Sequence, residues 1–197
     1  MQIILASGSP RRKQIFDSLK LNYKVVLGDY DEVLSETLSP QQIVQHHAKQ
    51  KALCVAKLMH DKSNLIIAAD TLVFCDEKEY GKPKNMANAI EMLQQLQNKK
   101  HEVLSGIAIY DMQQEKWSIG YESTEVYFRA LSLEEIEYYF SLIDPLDKAG
   151  AYAIQDGGCW IVERINGCYQ NVVGLPIVRL EKLMNKLGYS LKTINKV

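Results

Sequence analysis

Between Leu65 and Cys75 the chain is an apolar run rich in branched side chains, interrupted at Asp70. Its first part, Asn64 to Ala69, predicts a strand of the fully buried type, and such a strand has to be covered on both faces. The segments around it supply that cover. Ile3 to Ala6 is another short apolar run, and Ser9-Pro10 after it reads as an N-cap with proline at the first helical position, so the chain opens strand, turn, helix. Tyr23 to Leu27 is extended, and Ser39-Pro40-Gln41-Gln42 is a Ser-x-x-Gln capping box that starts a helix running to about His60.

Asp76 to Glu79 predicts a polar turn before the Gly81-Lys82-Pro83 loop, and Met86 to Leu96 has helical spacing. Extended segments resume at His101, where Val103 to Tyr110 and Glu122 to Arg129 alternate as antiparallel partners do. Ser132-x-x-Glu135 is a second capping box opening a helix. A long polar loop, Asp144 to Gly158, leads to a strand at Cys159 to Ile165, and Gly174-Leu175-Pro176 introduces a final helix that stops near Gly188. The sum is a mixed α/β protein.

With 197 residues and 47% hydrophobic content, the chain can bury its apolar surface in one core, read as a single domain over 1–197 that can comprise two lobes. No repeat or linker divides it. The formal net charge of −1 gives no global positive field, so nucleic acid is not expected as a partner and any anion site is local. The four cysteines, Cys54, Cys75, Cys159 and Cys168, form no C-x-x-C pair and fit a reduced cytosol. The first apolar run reaches Arg11 and Arg12 too soon for a signal peptide or membrane helix, and no other segment is long and apolar enough for one; a cytoplasmic protein without a membrane partner is expected.

Some residues break local rules. Arg11 and Arg12 lie in the first turn of a helix, where the macrodipole is already positive. Either they are solvated, or Ser7, Ser9, both arginines and the helix N-terminus form a phosphate cradle. Lys51 shares helical spacing with Val44, Ala48, Val55 and Leu58, which places an ammonium within an apolar stripe while Lys49 falls on the opposite face; its stem lies over the core with the head in water, or it reaches into a cleft. Asp70, an isolated carboxylate in an apolar run and following a buried-type strand, is costly unless it pairs or binds metal, and the position favours a site.

Asp29, Asp31 and Glu32 cluster after the second extended segment, as hard-cation ligands or as a solvated loop. Lys82 and Lys148 add cations on irregular segments. His46 and His47 are adjacent and cannot face one ion from a helix, and His60 and His101 have no ligand-like neighbours. No Ser-His-Asp or Cys-His constellation, P-loop or dinucleotide fingerprint is present. Several cations with a few carboxylates are the inventory of phosphoryl transfer assisted by a divalent metal.

Taken in order, Leu5-Ala6-Ser7-Gly8-Ser9-Pro10-Arg11-Arg12, Ala69-Asp70-Thr71, Gly81-Lys82-Pro83, Asp147-Lys148-Ala149-Gly150-Ala151-Tyr152, Ile154-Gln155 and Gly174-Leu175-Pro176 resemble the motifs of the Maf family of nucleotide pyrophosphatases from the first strand to the last helix. The resemblance implies an elongated mixed-sheet fold similar to that of inosine triphosphate pyrophosphatases, with a central cleft between two lobes and often a homodimer. It also implies a divalent cation (Mg²⁺, Mn²⁺ or Co²⁺) and hydrolysis of a nucleoside triphosphate to the monophosphate and pyrophosphate. Carried over by position, Asp70 is the catalytic base, Glu32 a metal or water-positioning carboxylate, and Asp70 with Glu32 the metal ligands. Ser7, Arg11, Arg12, Lys51, Lys82 and Lys148 become the triphosphate-handling groups, Lys51 and Lys82 among the catalytic ones.

Within the family, the chain resembles the group acting on dTTP and UTP, which carries Ser-Pro-Arg-Arg, Ala-Asp-Thr, Asp-Lys-Ala-Gly and Ile-Gln; the group acting on 7-methyl-GTP differs at these places. Arg11 or Arg12, Thr71 and Gln155 are then the specificity positions, with the glutamine amide able to meet the imide edge of uracil or thymine. Ala153 and Asp156 depart from the family's usual glycines, and a carboxylate at Asp156 bears on selectivity; Gln97-Asn98-Lys99-Lys100 replaces a usual Ser-Gly turn at the periphery. The competing reading is a nucleotide-binding regulator of cell division without turnover, since the family is linked to septum formation.

Overall fold

The computed structural model describes residues 1–32 and 38–194. In chain order the elements are β1 (Gln2–Leu5), α1 (Pro10–Ser18), β2 (Tyr23–Val25), α2 (Pro40–Leu58), β3 (Asn64–Cys75), β4 (Lys78–Tyr80), α3 (Met86–Leu96), β5 (Lys100–Asp111), β6 (Lys116–Phe128), α4 (Leu133–Leu142), β7 (Val162–Asn166), α5 (Tyr169–Val173) and α6 (Ile177–Lys186). Single 3₁₀ turns lie at Ala149–Ala151 and Gly158–Trp160. The strands form one sheet in the order β2-β1-β3-β5-β6-β7, with β4 paired to β3. It is mixed: β1 runs parallel to β2 and β3, whereas β3 with β4 and β6 with β7 are antiparallel. The α/β class read from the sequence is the observed one.

The chain divides into two compact units, Met1–Asp70 with Ser105–Glu122 and Gly174–Val197, and Thr71–Leu104 with Ser123–Val173. In the first, strand alternation sorts the side chains into two layers. Ile3, Leu5, Leu65, Ile67, Ala69, Ile107 and Ile109 pack with Phe16 of α1 and Leu180, Leu183 and Met184 of α6. The alternate residues Ile4, Ala6, Ile66, Ala68 and Ala108 pack with Ala48, Ala52 and Val55 of α2. The second layer is built from small residues, so α2 sits close to the sheet. At Gly106 the approach leaves no room for a side chain, since a Cβ there would meet the Val44 carbonyl oxygen at 2.2 Å.

Local signals explain the helix ends. Ser39 and Ser132 both form complete capping boxes, with Gln42 and Glu135. The last helix ends in a Schellman arrangement, Tyr189 N donating to Met184 O at 3.1 Å and Gly188 N to Asn185 O at 3.1 Å, with Gly188 at φ +85°. The predicted polar turn at Asp76 to Glu79 is shorter than expected. Asp76 and Glu77, both at positive φ, make a two-residue hairpin loop, and Lys78–Tyr80 pairs back onto β3 as β4. The strand expected from Asn64 to Ala69 continues to Cys75, and the strand expected from Cys159 begins only at Val162 because Gly158–Trp160 is a 3₁₀ turn. Helix α5 is absent from the sequence reading, being too short to show a period.

In the second unit Val73, Leu93, Val103, Phe128, Ile136 and Tyr139 belong to one core. His101 lies in that unit, 2% exposed, with Nε2 2.8 Å from the Tyr152 hydroxyl and its ring edge-on to Phe128. Its Nδ1 is buried without a hydrogen-bond partner, and burial lowers the imidazole to a pKa of about 3. The unfolded chain takes up a proton near the ordinary histidine value of about 6.5 and the native state does not, so stability is present above that pH and falls as the pH drops from about 6.5 toward 3. Urea unfolding should show the wild type losing stability relative to His101→Phe across this window, with a limiting slope of about 1.4 kcal/mol per pH unit. Parallel pH profiles for the two proteins would refute this origin.

Candidate active site

Strand β1 leaves the sheet early. Leu5 pairs with Ile67, Ala6 N donates to Ile67 O at 2.8 Å, and the chain then turns through Ser7 to Ser9 into α1, while β3 runs on. Asp70 therefore lies inside a strand and not, as expected, after one; the strand that ends nearby is its neighbour β1. Thr71 to Cys75 is strand-forming in its own right, which is why β3 does not stop at the carboxylate.

Alternation settles which way Asp70 faces. It follows Ile66 and Ala68 in parity, the residues that pack against α2. On α2, Val44, Ala48 and Val55 are buried as the helical spacing predicts, with Lys51 among them, whereas Leu58 is 56% exposed and leaves the stripe. The Lys51 ammonium sits 2.6 Å from Asp70 Oδ1 and 2.6 Å from Glu32 Oε1. Lys51 thus reaches a carboxylate pair instead of ending in bulk water. Asp70 is 3% exposed, and its Oδ2 is buried with no hydrogen-bond partner among the described residues. Of the acidic cluster only Glu32 joins this centre; Asp29 and Asp31 are exposed.

The turn after β1 places a second set of groups. Ser7, buried, accepts at Oγ from Arg12 Nη1 at 3.0 Å and from Ser9 N at 3.3 Å, and Arg12 Nε donates to the Gly174 carbonyl at 2.9 Å. Burial lowers the Arg12 pKa, the neighbouring Arg11 adds to this, and the fields of Asp70 and Glu32 oppose it. Both carboxylates therefore act electrostatically on the guanidinium. Ser9 occupies the N-cap of α1, but its side chain makes no capping bond and no acidic residue stands in the first turn. Unlike α2 and α4, this helix start has no cap from its N-cap side chain, and a helix N-terminus is a place where an anion can bind.

The remaining predicted residues lie in the second unit. Lys82 is exposed in the loop after β4. Lys148 is buried and donates to Asp144 O at 2.6 Å and Asp147 Oδ1 at 2.5 Å. Gly150 N donates to Gly81 O at 3.0 Å, so the loops carrying Lys82 and Lys148 are joined. Thr71 is half-buried. Gln155 donates from Nε2 to Asp156 Oδ2 at 3.1 Å, which directs its Oε1 inward, where that oxygen is buried and unpaired. The departure at Asp156 thus acts directly on Gln155. Ala153, the other departure, is bracketed by the Tyr139 hydroxyl, which contacts both its N and its O at 3.0 Å.

Three contributors escaped the sequence reading: the Gly174 carbonyl, Tyr30 and His47. The Tyr30 hydroxyl lies 2.7 Å from His47 Nδ1, and burial, followed by Glu32 and Asp70, raises the phenol's pKa. The spacing of His47 to Lys51, one turn apart on one helix face, was the available signal.

Removing the cation tests how much Asp70 depends on it. Lys51→Met leaves a buried carboxylate unpaired and should lower stability to urea by about 1–3 kcal/mol, and Asp70→Asn in the same background should restore most of that. Equal stabilities for all three proteins would show that the ion pair is energetically idle.

The family described as Maf-like protein matches residues 2–187. Curated relatives named dTTP/UTP pyrophosphatase include one from Caldicellulosiruptor bescii, 43% identical over 96% of each chain. Another, from Acetivibrio thermocellus, is 42% identical over 96% of this chain and 97% of its own. A third, from Bacillus cytotoxicus, is 46% identical over 91% and 92%. Among solved structures, the Staphylococcus aureus Ham1 protein is similar at a TM-score of 0.45 and 18% identity, covering 65% of this chain and 72% of that one. With a family match running nearly end to end and relatives above 40% identity, the chain belongs to the Maf family.

Proposed function

We propose that the chain hydrolyses nucleoside triphosphates, dTTP and UTP foremost, to the monophosphate and pyrophosphate. The observation that carries the reading is the buried Asp70 carboxylate, one oxygen on Lys51 and the other unpaired. The names of the curated relatives support it. A carboxylate oxygen with no partner is costly to bury, and a water or a cation delivered with the substrate would satisfy it. Asp70 takes the proton from a water that attacks the α-phosphorus, and pyrophosphate leaves with the P–O bond electrons. Ser7, Arg11, Arg12 and the N-terminus of α1 hold phosphate oxygens, and fixed donors there stabilise the charge that develops on them. Lys82 and Lys148 are further phosphate cations, and Thr71 and Gln155 select the base.

The residues present fit a divalent metal. Glu32 and Asp70 converge on one cation position, taken by the Lys51 ammonium, and the unpaired Oδ2 adds a free ligand atom. No group of three His, Cys, Asp or Glu side chains is placed to hold a metal among the described residues. Two carboxylates completed by phosphate oxygens and water are the usual protein share for Mg²⁺. Held by carboxylate oxygens of Glu32 and Asp70, the ion would supply charge neutralisation at the phosphoryl oxygens and a more acidic water. The ligand-sphere chemistry equally admits Mn²⁺ or Co²⁺. No helix of the described residues is long and apolar enough to cross a membrane, and the substrate proposed is a small soluble anion.

The test is pyrophosphate release from dTTP, UTP, CTP, 7-methyl-GTP and ITP, with Mg²⁺ or Mn²⁺ and with chelator. Metal-dependent turnover with dTTP and UTP preferred is expected, and Asp70→Asn should lower it by roughly 10²–10⁴-fold. Preference for another base would reject the roles of Thr71 and Gln155 while keeping the chemistry. Nucleotide binding without turnover would point to the regulator.

A further inference from the structure

The segment following β2 lies along α2 with alternate residues against it. A Cβ on Gly28 would come within 2.5 Å of Cys54 Cβ and 3.1 Å of Val55 N, so the backbone there rests directly on the helix. Two residues on, the Tyr30 hydroxyl is 2.7 Å from His47 Nδ1, and two further, Glu32 Oε1 is 2.6 Å from Lys51 Nζ. Asp29 and Asp31, between them, are exposed. A period of two puts residues 28, 30 and 32 on one side, and the four-residue step from His47 to Lys51 puts their partners on one helix face.

The three contacts are unequal. The Glu32 side chain is 45% exposed, and an ion pair so open to water holds a flexible side chain weakly. His47 is 2% exposed, and its buried imidazole would be costly without the hydrogen bond it shares with Tyr30. The rings also pack, 5.8 Å between centroids. The Tyr30–His47 pair anchors this segment on α2 two residues before Glu32.

We propose that Tyr30 and His47 form a latch that positions Glu32 beside Lys51 and Asp70, and that the latch sets the rate of the chemical step and not the affinity for nucleotide. Neither residue touches the reacting atoms; both are positioning residues. The inference rests on the reading of Asp70 and Glu32 as the reacting centre.

Tyr30→Phe and His47→Leu remove the hydrogen bond, and His47→Asn offers the phenol an amide near the lost Nδ1. Amide hydrogen exchange across residues 28–32, read by mass spectrometry, is measured together with dTTP hydrolysis at saturating Mg²⁺. Tyr30→Phe and His47→Leu should exchange about 10-fold faster there, with kcat reduced about 10-fold and KM within about twofold, and His47→Asn should recover both. Wild-type exchange in the two variants would overturn the latch. Faster exchange with unchanged kcat, or a change confined to KM, would overturn its hold on the chemical step. If the wild type hydrolyses none of the nucleotides, the reading of the centre falls on its own, and the exchange rates still decide whether the pair holds the segment.

Discussion

A single ammonium organises the charged centre of this protein. Lys51 stands 2.6 Å from both Asp70 and Glu32, and it gives a carboxylate inside a sheet strand a direct partner in exchange for water. Helix α2 must bring that ammonium to the sheet face, and it can do so only at short range. Ala48, Ala52 and Ala68 keep the layer thin, and Gly106 lets the Val44 carbonyl approach where any side chain would collide. The apolar packing of α2 and the polar demand of Asp70 are thus one constraint seen from two sides.

The same geometry explains what could be read in the chain beforehand. Both capping boxes, the Pro10 helix start and the Gly188 helix end depend on residues within a few positions of one another, and each appears where the pattern placed it. Features decided by pairing were harder to read. β4 looked like part of a turn because its strand character comes from partners on β3, and Asp70 looked like a strand end because the strand that ends is β1, whose register with β3 is not written in either segment.

At the centre, oddness in the sequence was a better guide than composition. Lys51 within an apolar stripe and Asp70 within an apolar run each broke a rule, and the structure joins the two in one contact. Charge patterning did not separate Glu32 from Asp29 and Asp31, because the choice depends on which alternate residues meet α2; only the family resemblance pointed to Glu32. His47 was passed over with His46 as a poor metal ligand; its actual partner is a phenol in a different segment. Gly174 contributes through a carbonyl, a group every residue has, so no side-chain pattern could single it out.

That last contact bears on how the molecule comes into being. Arg12 Nε binds the carbonyl of Gly174, 162 positions away in the sequence, and the apolar layer beneath it is closed by Leu180, Leu183 and Met184 of the final helix. The first compact unit is assembled from three separate stretches of chain, the last beginning at Gly174. Until α6 docks, Ile3, Leu5 and Phe16 lack its cover on that face, and contacts of such long sequence separation form slowly. Until Gly174 and α6 dock, the chain therefore carries an exposed apolar surface and an unfinished anion cradle, so one segment both covers that core and fixes Arg12.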